Sequence, residues 1–259
     1  MNFTDKNIIY LYDGSYQGFL SCIFNCFLKK EKPLNIVCAD SCEPTFFEQI
    51  FIETDTQKSE RVEKGLRLKG TYSALIMLRQ GFDCCINQKE MLLLDFIILV
   101  FEKGRDVISM LSEKTVSALN KAIKALTNEA HHLKGFVRFS VYENALIAVI
   151  EPKNFVLPYL APHFCDRYVN EHFFIYDKTH NAALVYGNSK AEIIKIDSFH
   201  EYNYDSEEKK YQRLWKTFYN TISIKERENP KLRISHMPKR FWGNITEMKE
   251  DIDNPLFLE

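Results

Sequence analysis

The run Pro162 to Arg167 contains the residue types best suited to chemistry in this sequence. His163 and Asp166 are three residues apart, so on a helix they share a face. A histidine can transfer a proton near neutral pH, and a neighbouring arginine can hold a phosphate. His131 ends a helical pattern, where a positive charge also suits the helix dipole. The predicted acid–base site is therefore His163, Asp166, Arg167 and His131, against the alternative that these histidines are capping or core residues.

A second set of candidates lies in residues 209–242, hereafter the basic segment. It holds ten Lys and Arg and two acids, whereas the rest of the chain carries 24 bases and 33 acids. Such asymmetry concerns the partners of a protein rather than its fold. The alternative is a solvated helix whose charge is neutralised by the acidic remainder of the same chain. The candidate nucleic-acid ligands are Lys209, Lys210, Arg213, Lys216, Arg227, Lys239 and Arg240.

The first half of the basic segment has the pattern of an amphipathic helix. Lys209, Arg213 and Lys216 are spaced four and three apart, so they share a face that could follow phosphates. Trp215 and Phe218 point away from this face, and we expect them to pack into the fold. Three other rings could stack on exposed bases instead of packing. They are Tyr211, Phe241 and Trp242.

Seven cysteines raise the question of a metal site. Cys22 and Cys26, like Cys38 and Cys42, are separated by three residues, whereas zinc sites usually place two residues between paired ligands. Cys22 and Cys26 also fall in an apolar helical stretch, so we expect buried thiols, no metal and no other cofactor. Walker A, dinucleotide glycine, HExxH and GxSxG patterns are absent from the sequence. Nucleotide hydrolysis and the standard hydrolase chemistries therefore lose their usual sequence support.

The first 133 residues predict a few strands followed by a helical layer. Residues 8–12 form a β-branched and aromatic run that ends at Asp13-Gly14-Ser15, which is a turn signal. Ser15 is placed to cap the helix that follows. No second acid lies at a defined spacing from Asp13, which favours a turn role for it. Strand-like runs follow at 34–39 and 46–53, and residues 58–133 have helical spacing almost throughout.

At Gly135 the pattern changes to the alternation of strands. Two hairpins are predicted, 136–142 with 145–150 and 173–176 with 182–186, and 193–196 adds a fifth strand. A short helix at 157–168 separates the hairpins, with a proline in its first turn. The connections look too short for crossovers. The predicted fold class is therefore α+β, a helical layer plus a mainly antiparallel sheet built from two hairpins.

Composition and length predict a folded globular protein. Hydrophobic residues make up 46% of the 259 residues and charged residues 27%. We expect three regions, 1–133, 134–204 and 205–259, in one compact unit or in two packed domains. The first residues lack the pattern of a secretion signal, and the odd cysteine count fits reduced thiols, which together predict a cytoplasmic protein. The longest apolar run, 91–101, is interrupted by Asp95 and is too short to cross a bilayer, so no membrane partner is expected.

Four stretches of the sequence resemble one bacterial family. They are Tyr12 to Ser15, Glu129 to His131 with Gly135 to Phe139, Leu157 to Arg167, and the C-terminal blocks 214–219, 224–232 and 237–242. Members of the family are described as DNA-metabolism proteins, encoded beside a radical-SAM protein of DNA modification or repair. In some bacteria the equivalent domain is fused to a family-4-like uracil-DNA glycosylase. The chain departs from the family pattern at Cys165, where a small residue is expected, and at Arg233, where Gln is commoner.

The resemblance implies a role in DNA maintenance. Together with the basic segment, it predicts a DNA-binding accessory protein in a DNA repair or base-modification system. One alternative is a nuclease- or glycosylase-like enzyme that uses His163, Asp166 and Arg167, joined by His131. This enzyme alternative requires that the four side chains converge in one cleft of the folded protein. The other alternative is a protein–protein adaptor for the radical-SAM partner, which the aromatic and basic C-terminus would bind.

Overall fold

The computed structural model of the chain has two compact units, the first ending at Leu126 and the second beginning at Thr127. It describes residues 3–142, 144–196, 206–224, 227 and 229–248, with the backbone alone at 206–209. The boundary predicted between residues 204 and 205 lies outside these ranges. Each unit combines helices with a sheet, so the α+β class is confirmed.

The first unit is built on a three-stranded parallel sheet. Strand β1 (Thr4–Tyr12) lies between β2 (Glu31–Cys38) and β3 (Glu48–Phe51) and is parallel to both. Helix α1 (Tyr16–Lys29) is the crossover between β1 and β2 that a parallel pair requires. The prediction of a mainly antiparallel sheet is therefore wrong for this unit. The apolar helix α1 carries the chain back to the edge of the sheet where β1 begins, so β2 runs in the same direction as β1.

Three further helices complete the predicted helical layer of the first unit: α2 (Thr56–Lys69), α3 (Tyr72–Phe82) and α4 (Lys89–Lys103). Residues of β1 and of helices α1 to α4 share one core, which includes Tyr10, Phe19, Leu66, Leu78, Leu93 and Phe96. The apolar run at 91–101 lies in α4 as a largely buried helix. None of the helices in the described ranges combines the length and the apolar character needed to cross a lipid bilayer.

Helix α5 (Lys114–Phe136) begins in the first unit and leads into the second. The second unit has five strands: β4 (Ser140–Tyr142), β5 (Ala145–Ile150), β6 (His172–Asp177), β7 (Ala182–Gly187) and β8 (Lys190–Lys195). They pair in the order β4-β5-β6-β7-β8. The antiparallel pairs β4–β5 and β6–β7 confirm the two hairpins, and β8 is the fifth strand.

The two hairpins are joined by a parallel pair. Ile147 of β5 lies opposite Phe174 of β6 in a parallel register, so the sheet is mixed and the prediction of a mainly antiparallel sheet is wrong here too. Helix α6 (Leu157–Arg167) lies in the connection between these strands. That connection meets the length of roughly a dozen residues that a crossover needs. The sequence predicts the helix but not its role as a crossover.

The described C-terminal residues are mostly helical. Helix α7 (Ser206–Ile222) is followed by α8 (Pro230–His236) and by two short 3-10 helices, Lys239–Asn244 and Thr246–Met248. Asn229 caps α8, because its side chain accepts a hydrogen bond from the backbone N–H of Leu232. These elements carry the described part of the basic segment.

Candidate nucleic-acid interface

Helix α7 arranges three cations along one side. Lys210, Arg213 and Lys216 follow one another at intervals of three residues, so they are neighbours on the helix surface. Lys210 and Arg213 are exposed, and Lys216 is half-buried. Lys209 belongs to the helix, but its side chain lies outside the described residues. Of the predicted basic face, Arg213 and Lys216 lie on α7, and Lys210 is a further cation beside them.

Most described cations of the basic segment have no carboxylate partner. Six of them are exposed and form no ion pair within the described part of the chain: Lys210, Arg213, Arg227, Lys231, Arg233 and Lys239. Lys225, Glu226 and Glu228 lie outside the described residues. The alternative was that the acidic remainder of the protein neutralises this charge. For these six side chains, no direct ion pair of that kind is found within the described residues.

Arg240, by contrast, pairs with a buried carboxylate. Its Nη1 atom lies 3.0 Å from Oε1 of Glu129, which is only 1% exposed. The same Oε1 accepts a hydrogen bond from the backbone N–H of Lys153. Oε2 accepts two more, from the backbone and side-chain amides of Asn154. Arg240 is therefore a structural counter-ion, and sequence reasoning missed Glu129 because its partners are distant along the chain.

Phe241 packs the 3-10 helix Lys239–Asn244 against α5. It is 2% exposed, and its ring centroid lies 5.7 Å from that of His132 and 5.5 Å from that of Phe136. A buried ring cannot stack on a nucleobase, so that prediction is wrong for Phe241. His132 in turn has a lowered pKa, because burial and the positive charges of His131 and Arg240 disfavour its protonated form more than Glu129 favours it.

The Trp242 side chain contacts two cations and a backbone carbonyl. Its indole Nε1–H donates a 2.9 Å hydrogen bond to the carbonyl of Met237. The Nζ atom of Lys239 lies 5.7 Å from the ring centroid, and Cζ of Arg233 lies 6.0 Å from it. These distances are in the range of cation–π contacts. The ring therefore holds two of the unpaired cations close together.

The apolar face of α7 differs from its predicted state. We expected Trp215 and Phe218 to be packed into the fold, yet they are 44% and 52% exposed. The indole Nε1–H of Trp215 donates to Oε2 of Glu247 at 3.0 Å, and Oε1 of Glu247 lies 3.3 Å from Nη2 of Arg138. The contact of Trp215 with Glu247 is thus polar, and much of the apolar face remains accessible. Tyr211 is exposed, as stacking on a base would require.

A groove of about 550 Å³ is lined by the last turn of α7, the residues that follow it, and α8. Its apolar wall comes from Tyr219, Ile222 and Leu232, its charge comes from Arg227 and Arg233, and His236 adds an imidazole. Sequence reasoning selected Arg227 but not Arg233 or His236 as ligands. Their shared lining depends on where α8 lies relative to the last turn of α7, which spacing along the chain does not predict.

The candidate acid–base residues on α6 do not form a connected group. Asp166 and Arg167 are exposed, whereas His163 is half-buried, with its ring 5.0 Å from that of Phe164. Nε2 of His163 is buried and has no hydrogen-bond partner among the described residues. No hydrogen bond or ion pair joins these three side chains in the described ranges. Arg167 lines a cleft that His163, Asp166 and the exposed His131 do not line.

Asp13 has the turn role that the sequence indicated. Its Oδ1 accepts hydrogen bonds from the backbone N–H and the hydroxyl of Ser15, at 2.9 and 2.6 Å, and its Oδ2 accepts one from Thr54 at 2.8 Å. Burial raises the pKa of Asp13, but these hydrogen bonds outweigh burial and the net shift is downward. Ser15 caps α1 by accepting from the N–H of Gly18, as predicted.

The cysteines of α1 are buried thiols, as predicted. Cys22 and Cys26 are inaccessible to solvent. Burial raises the pKa of both thiols, that of Cys26 to about 12, so both are protonated at neutral pH. Among the residues that the structure describes, no three His, Cys, Asp or Glu side chains are grouped to hold a metal ion.

The model of a family of unknown function, DUF4130, matches residues 87–247, which is more than half of the chain. The chain belongs to this family. The DUF4130 match contains all of the basic segment, the acid–base candidates and Glu129, whereas β1 to β3 precede it. No curated protein and no solved structure matches the chain.

Proposed function

We propose that the protein is a DNA-binding accessory protein in a DNA repair or base-modification system. The observation that supports DNA binding is the set of exposed cations in the basic segment that lack carboxylate partners within the described residues. Cations of this kind displace the counterions that condense on a phosphate backbone, and the release of those counterions drives association. Six such side chains within one short segment are enough for several phosphate contacts.

The positions of these cations favour recognition over diffuse attraction. Arg213 is carried by a helix, and the ring of Trp242 orients Lys239 and Arg233. Binding costs less conformational entropy when the cationic side chains are already held in place than when the ligand must order flexible ones. The choice of DNA, and of repair or base modification, rests on the resemblance of four sequence stretches to DNA-metabolism proteins.

The test is fluorescence anisotropy with labelled single-stranded, duplex and uracil-containing DNA, over a range of salt concentrations. We expect log Kd to depend linearly on log salt, with a slope of about 0.9 for each phosphate contact on duplex DNA. The variant Lys210→Glu/Arg213→Glu/Lys216→Glu should bind at least about 100-fold more weakly, because it replaces attraction to phosphates by repulsion. Product analysis of the same samples tests the nuclease- or glycosylase-like alternative.

A matched control separates local from total charge. Lys64, Lys121 and Lys190 are exposed and lie outside the basic segment. Their reversal to Glu changes the net charge equally but should alter Kd by less than roughly threefold, because screening limits distant charges. Salt-insensitive binding, equal losses in the two variants, or no binding of the unmodified protein to any nucleic acid would contradict the proposal.

The exposed apolar face of α7 favours a second candidate, an adaptor for a radical-SAM DNA modification or repair protein. Leu214, Phe218 and Ile222 are each more than half exposed, and apolar surface of this kind is commonly buried by a protein partner. The variant Leu214→Ser/Phe218→Ser should then abolish co-purification with that protein while leaving DNA binding intact. Co-purification that survives this substitution excludes an interface on this face.

A further inference from the structure

A second basic cleft lies outside the basic segment, within the unit that begins at Thr127. We call it the α5–α6 cleft; its volume is about 410 Å³. Lys134, Arg138 and Arg167 supply its charge, and no carboxylate side chain is among the described residues that line it. Only Arg167 was a sequence candidate, and it was assigned there to acid–base chemistry. The cleft is instead suited to holding an anion.

The three cations are held in different ways. Arg138 is fixed, because its Nη1 donates a 2.8 Å hydrogen bond to the carbonyl of Gly135 and its Nη2 lies 3.3 Å from Glu247. Glu247 offsets the charge of Arg138. Arg167 is exposed and contacts the Tyr168 ring, with Cζ 5.8 Å from the ring centroid. Lys134 and Arg167 form no ion pair in the described ranges, so their charge is available to a ligand.

Phe139, Phe164 and Tyr168 form the apolar wall of the cleft, and Phe139 and Tyr168 are its partly exposed rings, whereas the buried Phe173 packs against Phe139 without lining the cleft. The ring of Phe139 lies 5.4 Å from that of Phe164, 5.2 Å from that of Tyr168 and 5.9 Å from that of Phe173. These edge-on contacts fix the rings in place. A fixed aromatic wall beside two available cations matches a ligand that carries a planar ring next to a phosphate. Such a ligand is a nucleotide.

We infer that the α5–α6 cleft binds one unpaired nucleotide of a nucleic-acid strand, with its phosphate on Lys134 and Arg167 and its base or sugar against the aromatic wall. This inference rests on the proposed function and adds a preference for unpaired DNA. The volume suits a single small ligand, for which pockets of roughly 300–1,000 Å³ are typical. A base in a duplex is stacked and paired, so it cannot reach such a wall unless it leaves the helix.

The direct test uses thymidine 5′-monophosphate, thymidine and inorganic phosphate as separate probes in a calorimetric titration of the full chain. We expect the monophosphate to bind at least about tenfold more tightly than either fragment, because only it reaches both the cations and the rings. The variant Lys134→Gln/Arg167→Gln should lose this advantage. Inorganic phosphate that binds as tightly as the monophosphate would overturn the inference in favour of a simple anion site.

The matched control is Lys121→Gln/Lys190→Gln, which removes two exposed positive charges elsewhere. It should leave monophosphate binding within about twofold of the unmodified protein, because distant surface charges are screened. With labelled single-stranded DNA, the cleft variant should also lower the salt slope by roughly 0.7 for each phosphate that it no longer binds. Equal affinities of the two variants for the monophosphate would overturn the inference.

Failures of the two proposals have different signatures. If long DNA binds but the cleft variant behaves like its control, the inference about the cleft fails and the proposed function stands. If the monophosphate binds through Lys134 and Arg167 but long DNA does not bind, the proposed function fails and the cleft is a nucleotide site. The reversal of Lys210, Arg213 and Lys216 should not change monophosphate binding in either case.

Discussion

At the scale of single residues, the buried carboxylate of Glu129 connects three parts of the second unit. Glu129 belongs to α5, its partner Asn154 follows β5, and its counter-ion Arg240 belongs to a C-terminal 3-10 helix. Removing a carboxylate from water costs several kcal/mol, so this position depends on its donors. Each of its two oxygens has two of them. The network attaches the end of the basic segment to α5 and to the residues that follow β5, within the second unit.

Arg240→Gln should lower the free energy of unfolding by about 2 kcal/mol, measured by urea denaturation. This is less than the roughly 3–5 kcal/mol expected when a fully buried pair is broken, because the Arg240 side chain is 42% exposed. Arg233→Gln is the control; a loss for Arg240→Gln no greater than that of this control would show that the pair is not stabilising.

His132 should make stability sensitive to pH below neutrality. Burial lowers its pKa from the ordinary value of about 6.5, so as pH falls the unfolded chain takes up this proton before the folded chain does. Stability should therefore decrease as pH is lowered from about 7 through the folded-state pKa. His132→Phe keeps a ring against Phe136 and Phe241 and should flatten the dependence of Tm on pH in this window. An unchanged slope would contradict this assignment.

At the scale of elements, the junction between β1 and α1 depends on Gly18. Asp13 closes the strand, Ser15 caps the helix, and Thr54 holds the second oxygen of Asp13. Gly18 leaves the space for this arrangement: a Cβ atom there would overlap Oδ1 of Asp13 and would lie 2.8 Å from Oγ1 of Thr54. The hydrogen bonds of Asp13 therefore require a residue without a Cβ atom at position 18.

Gly18→Ala should destabilise the protein by about 1–2 kcal/mol. Overpacking costs roughly 1–3 kcal/mol, and the better helix propensity of alanine returns up to about 1 kcal/mol. Gly135→Ala in α5 is the matched control, because a Cβ atom there meets nothing within 4 Å. The control should be neutral or stabilising in the same thermal or urea measurement. If the two variants behave alike, crowding at Gly18 does not constrain the junction.

At the scale of the whole molecule, the distribution of charge matters more than its sum. The net charge is -1, yet the basic segment holds ten cations and two acids. Charges on a surface are screened over about 8 Å at physiological ionic strength, so a polyanion responds mainly to the local surface that it touches. A protein of this kind can bind polyanions at a pH where its total charge is negative.

The full chain should therefore be retained on heparin resin at low salt and pH 7.5. Reversing Lys210, Arg213 and Lys216 to Glu should move elution to a much lower salt concentration. Reversing Lys64, Lys121 and Lys190 gives the same net charge and should leave elution almost unchanged. Equal elution of the two variants would show that total charge, rather than the basic segment, controls retention.

The positions of most helices and strands could be predicted from the sequence because periodicity is a local property. The stripe of α5, the two hairpins and the cap at Ser15 each depend on residues close together along the chain. The asymmetric charge of the basic segment is likewise visible in the sequence. These features needed no knowledge of which elements meet.

The errors and omissions concern contacts between distant parts of the chain. Whether β5 pairs in parallel with β6 depends on the path of α6, and whether Trp215 is covered depends on which elements pack against α7. The partners of Glu129 and the lining of the α5–α6 cleft have the same origin. Residue types and spacing thus located the candidate chemistry and charge of this protein. Tertiary packing selected which cations are paired, which rings are buried and which side chains share a cleft, because those properties arise only when separate elements are brought together.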